Sequence, residues 1–175
     1  MSDAPREGAP EPRIFSRESQ IRIDREGRFW HEGERIDHSG LARAFAQWVV
    51  WDEASQRYQL RNSMDWCWIT VDDAPLVVVS AHLDDDGEVL LSLSDGTVER
   101  LALETLRIDR EDVPYCTVRG GTVDARFLQA AAFSLLEHAE PDGDQWALVL
   151  GPKRVALVRV VEGVSRVGRA KEGVS

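Results

Sequence analysis

The chain has 175 residues, 43% of them hydrophobic and 30% charged, with a formal net charge of −10 and a pI near 4.9. That length holds one good core, or two small subdomains that share a core. The negative balance offers no basic stripe to displace the counterions of a phosphate backbone, which argues against nucleic acid and against an anionic membrane surface.

Residues 2–12, S-D-A-P-R-E-G-A-P-E-P, combine acids and prolines without an apolar run. Residues 1–13 therefore read as a disordered leader and not as a signal peptide, with the cytoplasm as the compartment. No segment approaches the roughly 18 apolar residues of a membrane span. Ile21-Arg22-Ile23-Asp24 alternates with period two, and Arg25-Glu26-Gly27 turns the chain into Arg28-Phe29-Trp30-His31. Gly33 allows a second turn towards Ile36, and Leu41, Phe45, Trp48 and Val49 then form one helical stripe. Strands follow at 58–60 and 66–71, and Asp72-Asp73-Ala74-Pro75 ends the second of them.

Three strand candidates, 77–83, 89–93 and 97–101, are joined by turns containing Asp86-Gly87 and Asp95-Gly96, which predicts a meander. Asp84-Asp85-Asp86-Gly87-Glu88 resembles a calcium loop only at first sight. His82 stands at the first ligand position and Leu93 at the twelfth, so a hairpin turn is the better reading. Arg119-Gly120-Gly121 reads as another turn, and Leu128, Ala132, Leu135 and Leu136 as a second helical stripe. Strands at 146–150 and 155–160 complete the pattern, and residues 162–175, with Arg166, Arg169 and Lys171, read as a flexible, solvated tail.

Part of this order occurs twice. Gly33 matches Gly120, Ile36 matches Val123 and Asp37 matches Asp124, all at an offset of 87 residues, and Asp37 and Asp124 read as caps of the two helices. The fold class expected is α+β: two repeated hairpin–helix–hairpin units with antiparallel sheets, joined by a three-strand meander. Residues 14–75 form the first repeat, and 76–161 the meander with the second.

Chemistry is less legible. Cys67 and Cys116 lack further cysteines at metal-ligand spacing and read as free thiols. His31, His38, His82 and His138 are scattered, and neither a phosphate loop nor a nucleophile motif occurs. No metal and no cofactor is expected. Six tryptophans, Trp66 and Trp68 on one strand face among them, read as core, with a groove lined by indole rings as the alternative.

I-R-I-D-R-E-G-R-F-W-H-E-G-E-R-I (21–36), V-D-D-A-P (71–75) and P-Y-C-T-V-R-G-G (114–121) resemble the bacterial family called domain of unknown function 1285, over about residues 20–160. The resemblance implies an α+β fold with repeated motifs and a ligand-binding or signalling role. Its matched positions are Trp30, Asp73, Pro75, Tyr115 and Arg119. Glu26-Gly27 departs from the family's Asp-Gly turn, Asp72 stands where Glu is usual, and Leu76 replaces an aromatic residue.

The leading expectation is a non-catalytic module binding a small anionic ligand or a protein partner between the repeats, at Asp73, Tyr115, Arg119 and Trp30. Arg119 would present a planar fork to a carboxylate or phosphate, with Asp73 orienting it. The alternatives are a homodimeric interaction module and a hydrolase using Asp72 and Asp73.

Overall fold

The computed structural model describes residues 17–167. The leader at 1–13 and residues 168–175 of the tail lie outside the described residues. The chain begins with β1 (Glu18–Ile23), β2 (Phe29–His31) and β3 (Glu34–Arg35), passes through α1 (Ser39–Trp48), and continues as β4 (Val49–Asp52), β5 (Arg57–Arg61) and β6 (Trp66–Val71). These six strands form one sheet in the order β3-β2-β1-β6-β5-β4. Next come β7 (Leu76–Leu83), β8 (Val89–Leu93) and β9 (Val98–Arg100), a single 3-10 turn (Leu103–Thr105), then β10 (Arg107–Ile108), β11 (Pro114–Val118) and β12 (Val123–Phe127). They form a second sheet, β10-β11-β12-β7-β8-β9. Finally α2 (Gln129–Leu136) leads into β13 (Ala139–Asp142), β14 (Gln145–Leu150) and β15 (Lys153–Ala156), a separate antiparallel meander.

The expected α+β architecture, with its repeated units and its meander over β7–β9, is present. The two six-stranded sheets add a second internal correspondence. Each is a meander, a linker and a meander, closed by pairing the first strand with the last in parallel, β1 with β6 and β7 with β12. The sheets are thus mixed rather than antiparallel throughout, because the linker returns the chain to the start of its own sheet.

One turn chemistry recurs through the fold. In the β1–β2 turn the Asp24 carboxylate accepts from the amides of Glu26 (3.0 Å) and Arg28 (2.9 Å). Asp84 does the same for Asp86 (3.0 Å) and Glu88 (2.8 Å), and Asp109 for Glu111 (2.8 Å) and Val113 (2.9 Å). Each aspartate bridges its own backbone two and four residues on, which fixes hairpin and register together. Residues 84–88 are therefore a turn, as expected. Gly27 has a positive φ of 76°, and a Cβ there would lie 2.9 Å from Cγ1 of Val77, so the first sheet's turn packs closely against the second sheet.

The helix caps differ from expectation. His38 precedes α1, and its Nδ1 accepts from the Leu41 amide at 3.1 Å, while Asp37 pairs with Arg35 at 2.7 Å. Asp124 lies within β12, as its second residue, and Leu128 precedes α2. The backbone remains extended through Phe127, so the cap of the second helix falls four residues later than the match with Asp37 suggests. One apolar core joins Ile23, Phe29, Leu60 and Ile69 of the first sheet to Leu76, Leu91, Cys116 and Phe127 of the second, and reaches Leu148 and Leu150 of β14.

Candidate functional site

The strands β10–β12 alternate apolar and polar residues, and both faces are largely covered. Cys116, Val118, Val123, Ala125 and Phe127 point into the core. On the opposite face, Arg107, Tyr115 and Arg126 form one cross-strand row, and Thr117 and Asp124 the next. A polar face in a two-layer fold ordinarily looks onto water. Here Tyr115 is 1% exposed and Asp124 0%. Burying such groups is unfavourable unless each is hydrogen-bonded or paired, so their partners define the site.

At one end the Tyr115 hydroxyl donates to Oδ2 of Asp73 at 2.6 Å. Nε of Arg126 donates to that hydroxyl at 3.2 Å and lies 3.4 Å from the same carboxylate oxygen. Arg25, exposed on the β1–β2 turn, reaches the Tyr115 hydroxyl and lies in the field of Asp73 and Glu111. Burial, and then the Asp73 carboxylate, push the Tyr115 phenol above its ordinary range, so it remains a proton donor. Asp73 is brought there by the parallel pairing of β1 and β6. Ile23 lies opposite Val71, and the Asp72 amide donates to the Ile23 carbonyl at 3.0 Å, so the residues after both strands emerge side by side.

Trp30 flanks this end. Its indole N–H donates to Asp24 at 2.8 Å, and the Arg22 guanidinium sits 5.5 Å from its ring centre while pairing with Asp72 at 2.5 Å. Asp72 and Asp73 therefore have separate basic partners.

Arg119 has a different task from the one expected. Its guanidinium donates to the carbonyls of Val49 (2.7 Å) and Ala46 (2.7 Å) and to Oδ2 of Asp95 (2.6 Å). It joins the end of α1 to the β8–β9 turn. Four residues of nearly extended chain separate it from Tyr115, about 13 Å at the usual rise per residue. Burial raises the Asp95 pKa, but the bonds from Arg119 and Thr97 outweigh it and hold the carboxyl below its ordinary range. The structure thus brings Asp73 and Tyr115 together, sets Trp30 at their flank, and supplies Arg126 where Arg119 was expected.

The other end of the face is built round Asp124. Arg107 donates to its Oδ1 at 2.8 Å; the Arg166 amide donates to Oδ2 and the Arg166 guanidinium lies 3.4 Å from Oδ1. The Asp124 amide donates to the Tyr58 hydroxyl at 3.3 Å, so the first sheet reaches this end too. Burial of Tyr58, together with the Asp124 charge, keeps that phenol protonated. Sequence reasoning missed Arg107, Arg126 and Arg166. The signal for the first two was the alternation Val123-Asp124-Ala125-Arg126-Phe127 beside Tyr115-Cys116-Thr117-Val118.

Elsewhere, a groove of about 800 Å³ opens between β14, the chain after β15 and the edge of the second sheet, lined by Ile108, Leu136, Ala139, Trp146, Leu157 and Val158 among others. Trp146 points to the same face of β14 as the buried Leu148 and Leu150, yet is 53% exposed. Trp66 and Trp68 stack edge to face at 5.1 Å, with Arg17 and Arg57 over their rings, so they form a surface layer and not core. Both cysteines are free; Cys67 is half-buried and Cys116 buried. Among the described residues no group of three His, Cys, Asp or Glu side chains could hold a metal ion, and no helix is long and apolar enough to cross a membrane.

No family model matches the chain, and no curated protein matches it in sequence. Two solved structures share its fold. A DUF1285 family protein from Silicibacter pomeroyi DSS-3 is similar with a TM-score of 0.68 at 22% identity, over 82% of this chain and 81% of that one. A DUF1285 family protein from Shewanella baltica OS155 gives a TM-score of 0.59 at 18% identity, over 70% of this chain and 94% of that one. The likeness is one of fold, to proteins of the family that the hairpin and V-D-D-A-P motifs resemble.

Proposed function

We propose that this protein is a non-catalytic binding module that takes a small anionic ligand at Arg126 and Arg25, beside Asp73 and Tyr115. One observation carries the reading. Arg126 is held through Nε by Tyr115 and Asp73, its side chain is only 17% exposed, and its two terminal nitrogens make no hydrogen bond among the described residues. A guanidinium oriented in this way presents two parallel donors to a carboxylate or phosphate with little further ordering. Arg25 adds a second cation from the β1–β2 turn, with the Asp73 and Glu111 carboxylates nearby. Trp30 and its Arg22 partner form the wall towards Asp72. Arg119 contributes by holding α1 to the second sheet.

The hydrolase alternative finds less support, since Asp72 and Asp73 are each engaged by a different basic group. A homodimer is favoured by a separate observation, the exposed Trp146 and Val158 along the groove. Sedimentation over a wide concentration range tests it, and a monomer throughout contradicts it.

The anion site is tested by thermal shift of the full chain against inorganic phosphate, succinate and glutarate. At least one is expected to raise the unfolding temperature of the wild-type protein and not that of Arg126→Gln. No rise with any of them, or equal rises in both proteins, contradicts the site.

A further inference from the structure

The Tyr115 end of the polar face carries as much negative charge as positive. Arg126 and Arg25 bring two cations, and Asp73 and Glu111 bring two carboxylates, both of them in the field of Arg25. The neighbouring Arg22 and Asp72 pair with each other and leave that balance unchanged. A phosphate or a dicarboxylate would give the site an excess of negative charge. It would also set an anion against Asp73, whose side chain is only 11% exposed. Like charges repel more strongly where water is largely excluded than they do at the surface.

The hydrogen bonds point the same way. Oδ2 of Asp73 accepts from the Tyr115 hydroxyl at 2.6 Å and lies 3.4 Å from Nε of Arg126. Oδ1 of Asp73 has no hydrogen-bond partner among the described residues, and neither have the terminal nitrogens of Arg126. Among the described residues, the one buried side-chain polar atom without a partner is Oε1 of Gln59, on β5. The unpaired atoms of Asp73 and Arg126 are therefore open to solvent. An acceptor and a pair of donors stand side by side, both tied to one tyrosine hydroxyl. Covalent geometry keeps the unpaired oxygen within about 8 Å of both terminal nitrogens, a gap that an α-amino acid spans with one charge-assisted hydrogen bond of about 2.8 Å at each end.

We propose that the ligand of this site is a free α-amino acid with an uncharged side chain, its carboxylate on the terminal nitrogens of Arg126 and its ammonium on Oδ1 of Asp73. The proposal rests on the reading of Arg126 as an anion receptor and adds the second half of the ligand. A zwitterion keeps the net charge of the site at zero and meets the unpaired acceptor and the unpaired donors together. Tyr115 is a positioning residue, because its hydroxyl holds carboxylate and guanidinium at a spacing that suits adjacent amino and carboxyl groups. A peptide carries those two charges too far apart, and an acylated or amidated amino acid lacks one of them.

Calorimetric titration of the full chain with L-alanine, L-leucine and L-phenylalanine, each beside its N-acetyl and its amide form, tests the proposal. At least one of the three is expected to bind about tenfold more tightly than both of its derivatives, since each derivative forfeits one charge-assisted hydrogen bond. Asp73→Asn, which keeps an oxygen for Tyr115, should weaken that amino acid about tenfold and strengthen inorganic phosphate, because it removes the repelling charge. Amino acids that bind no better than their N-acetyl forms, or equally well to wild type and Asp73→Asn, overturn the proposal. If the N-acetyl forms and phosphate then bind, and Arg126→Gln abolishes that binding, the anion site stands and only the zwitterion falls. If no compound binds, both fall. The comparison of derivatives needs only the wild-type chain, so it decides the question even if Asp73→Asn does not fold.

Discussion

The hairpins β5–β6 and β11–β12 hold the same place in the two large sheets, have turns of equal length and share one register. Leu60 faces Cys67 in the first, and Thr117 faces Asp124 in the second. Counted from the turns, Tyr58, Leu60, Cys67 and Ile69 stand where Tyr115, Thr117, Asp124 and Arg126 stand. The first set packs into the core, except for the Tyr58 hydroxyl. The second forms the buried polar face. Equal topology thus supports opposite chemistry: one hairpin is closed by apolar packing, the other by a network of charges that must all be matched. A closed core leaves no donor available, whereas the network keeps the terminal nitrogens of Arg126.

The largest expected effect separates the two hairpins at one equivalent position. Asp124→Ala leaves Arg107 and Arg166 facing each other without their buried carboxylate, and should lower stability by about 3–5 kcal/mol in chemical denaturation. Cys67→Ala, at the matching place, should cost no more than about 1 kcal/mol, since it removes one half-buried sulfur. Similar costs for the two would erase the distinction. Next is Arg119→Met, which strips a buried Asp95 of its cation and the end of α1 of two donors. A loss of about 2–3 kcal/mol is expected, with no change in anion affinity; weaker anion binding would return Arg119 to the ligand site.

The charge network also predicts an acid limb. The Asp95 carboxyl is held below its ordinary 3.8 by Arg119 and Thr97 against the opposing effect of burial. A carboxyl depressed in the folded state contributes stability that is complete above its unfolded pKa and is lost as pH falls through the folded value. Unfolding free energy should therefore decline below about pH 5, and Asp95→Asn should flatten that decline while lowering stability near neutrality. An unchanged acid limb would contradict it. A smaller effect is expected at Tyr115→Phe, which removes one hydrogen bond to Asp73 for about 1 kcal/mol and frees Arg126 to reorient. Its anion affinity should fall although no ligand contact has been deleted. The mildest comparison concerns the thiols. Burial pushes the Cys116 thiol up to about 12, so a thiol reagent should label half-buried Cys67 first under native conditions.

Much of this architecture was legible in local chemistry. The Asp-Gly turns located the hairpins, the helical stripe located α1, and the P-Y-C-T-V-R and V-D-D-A-P motifs pointed to Tyr115 and Asp73, which do meet. Asp124 was misplaced because its match with Asp37 put it at a helix start, while β-branched and aromatic neighbours keep its backbone extended. Arg119 was assigned as a matched position of the P-Y-C-T-V-R-G-G segment, whereas its positive φ of 52° and its turn direct it to the end of α1. Arg166 was read as part of a flexible, solvated tail, whereas its pairing with Asp124, which only the tertiary structure supplies, holds it in place. Alternation on β11 and β12 was visible, but burial of the polar face comes from elements distant in sequence.

On the proposed function, the polar face of β10–β12 is a binding face organised by Arg126. Calorimetric titration of the full chain with inorganic phosphate, in parallel with Arg126→Ala, tests it most directly. Saturable binding by the wild-type protein that is lost in the folded variant is the predicted result; no saturable heat, or the same isotherm for both proteins, would contradict it.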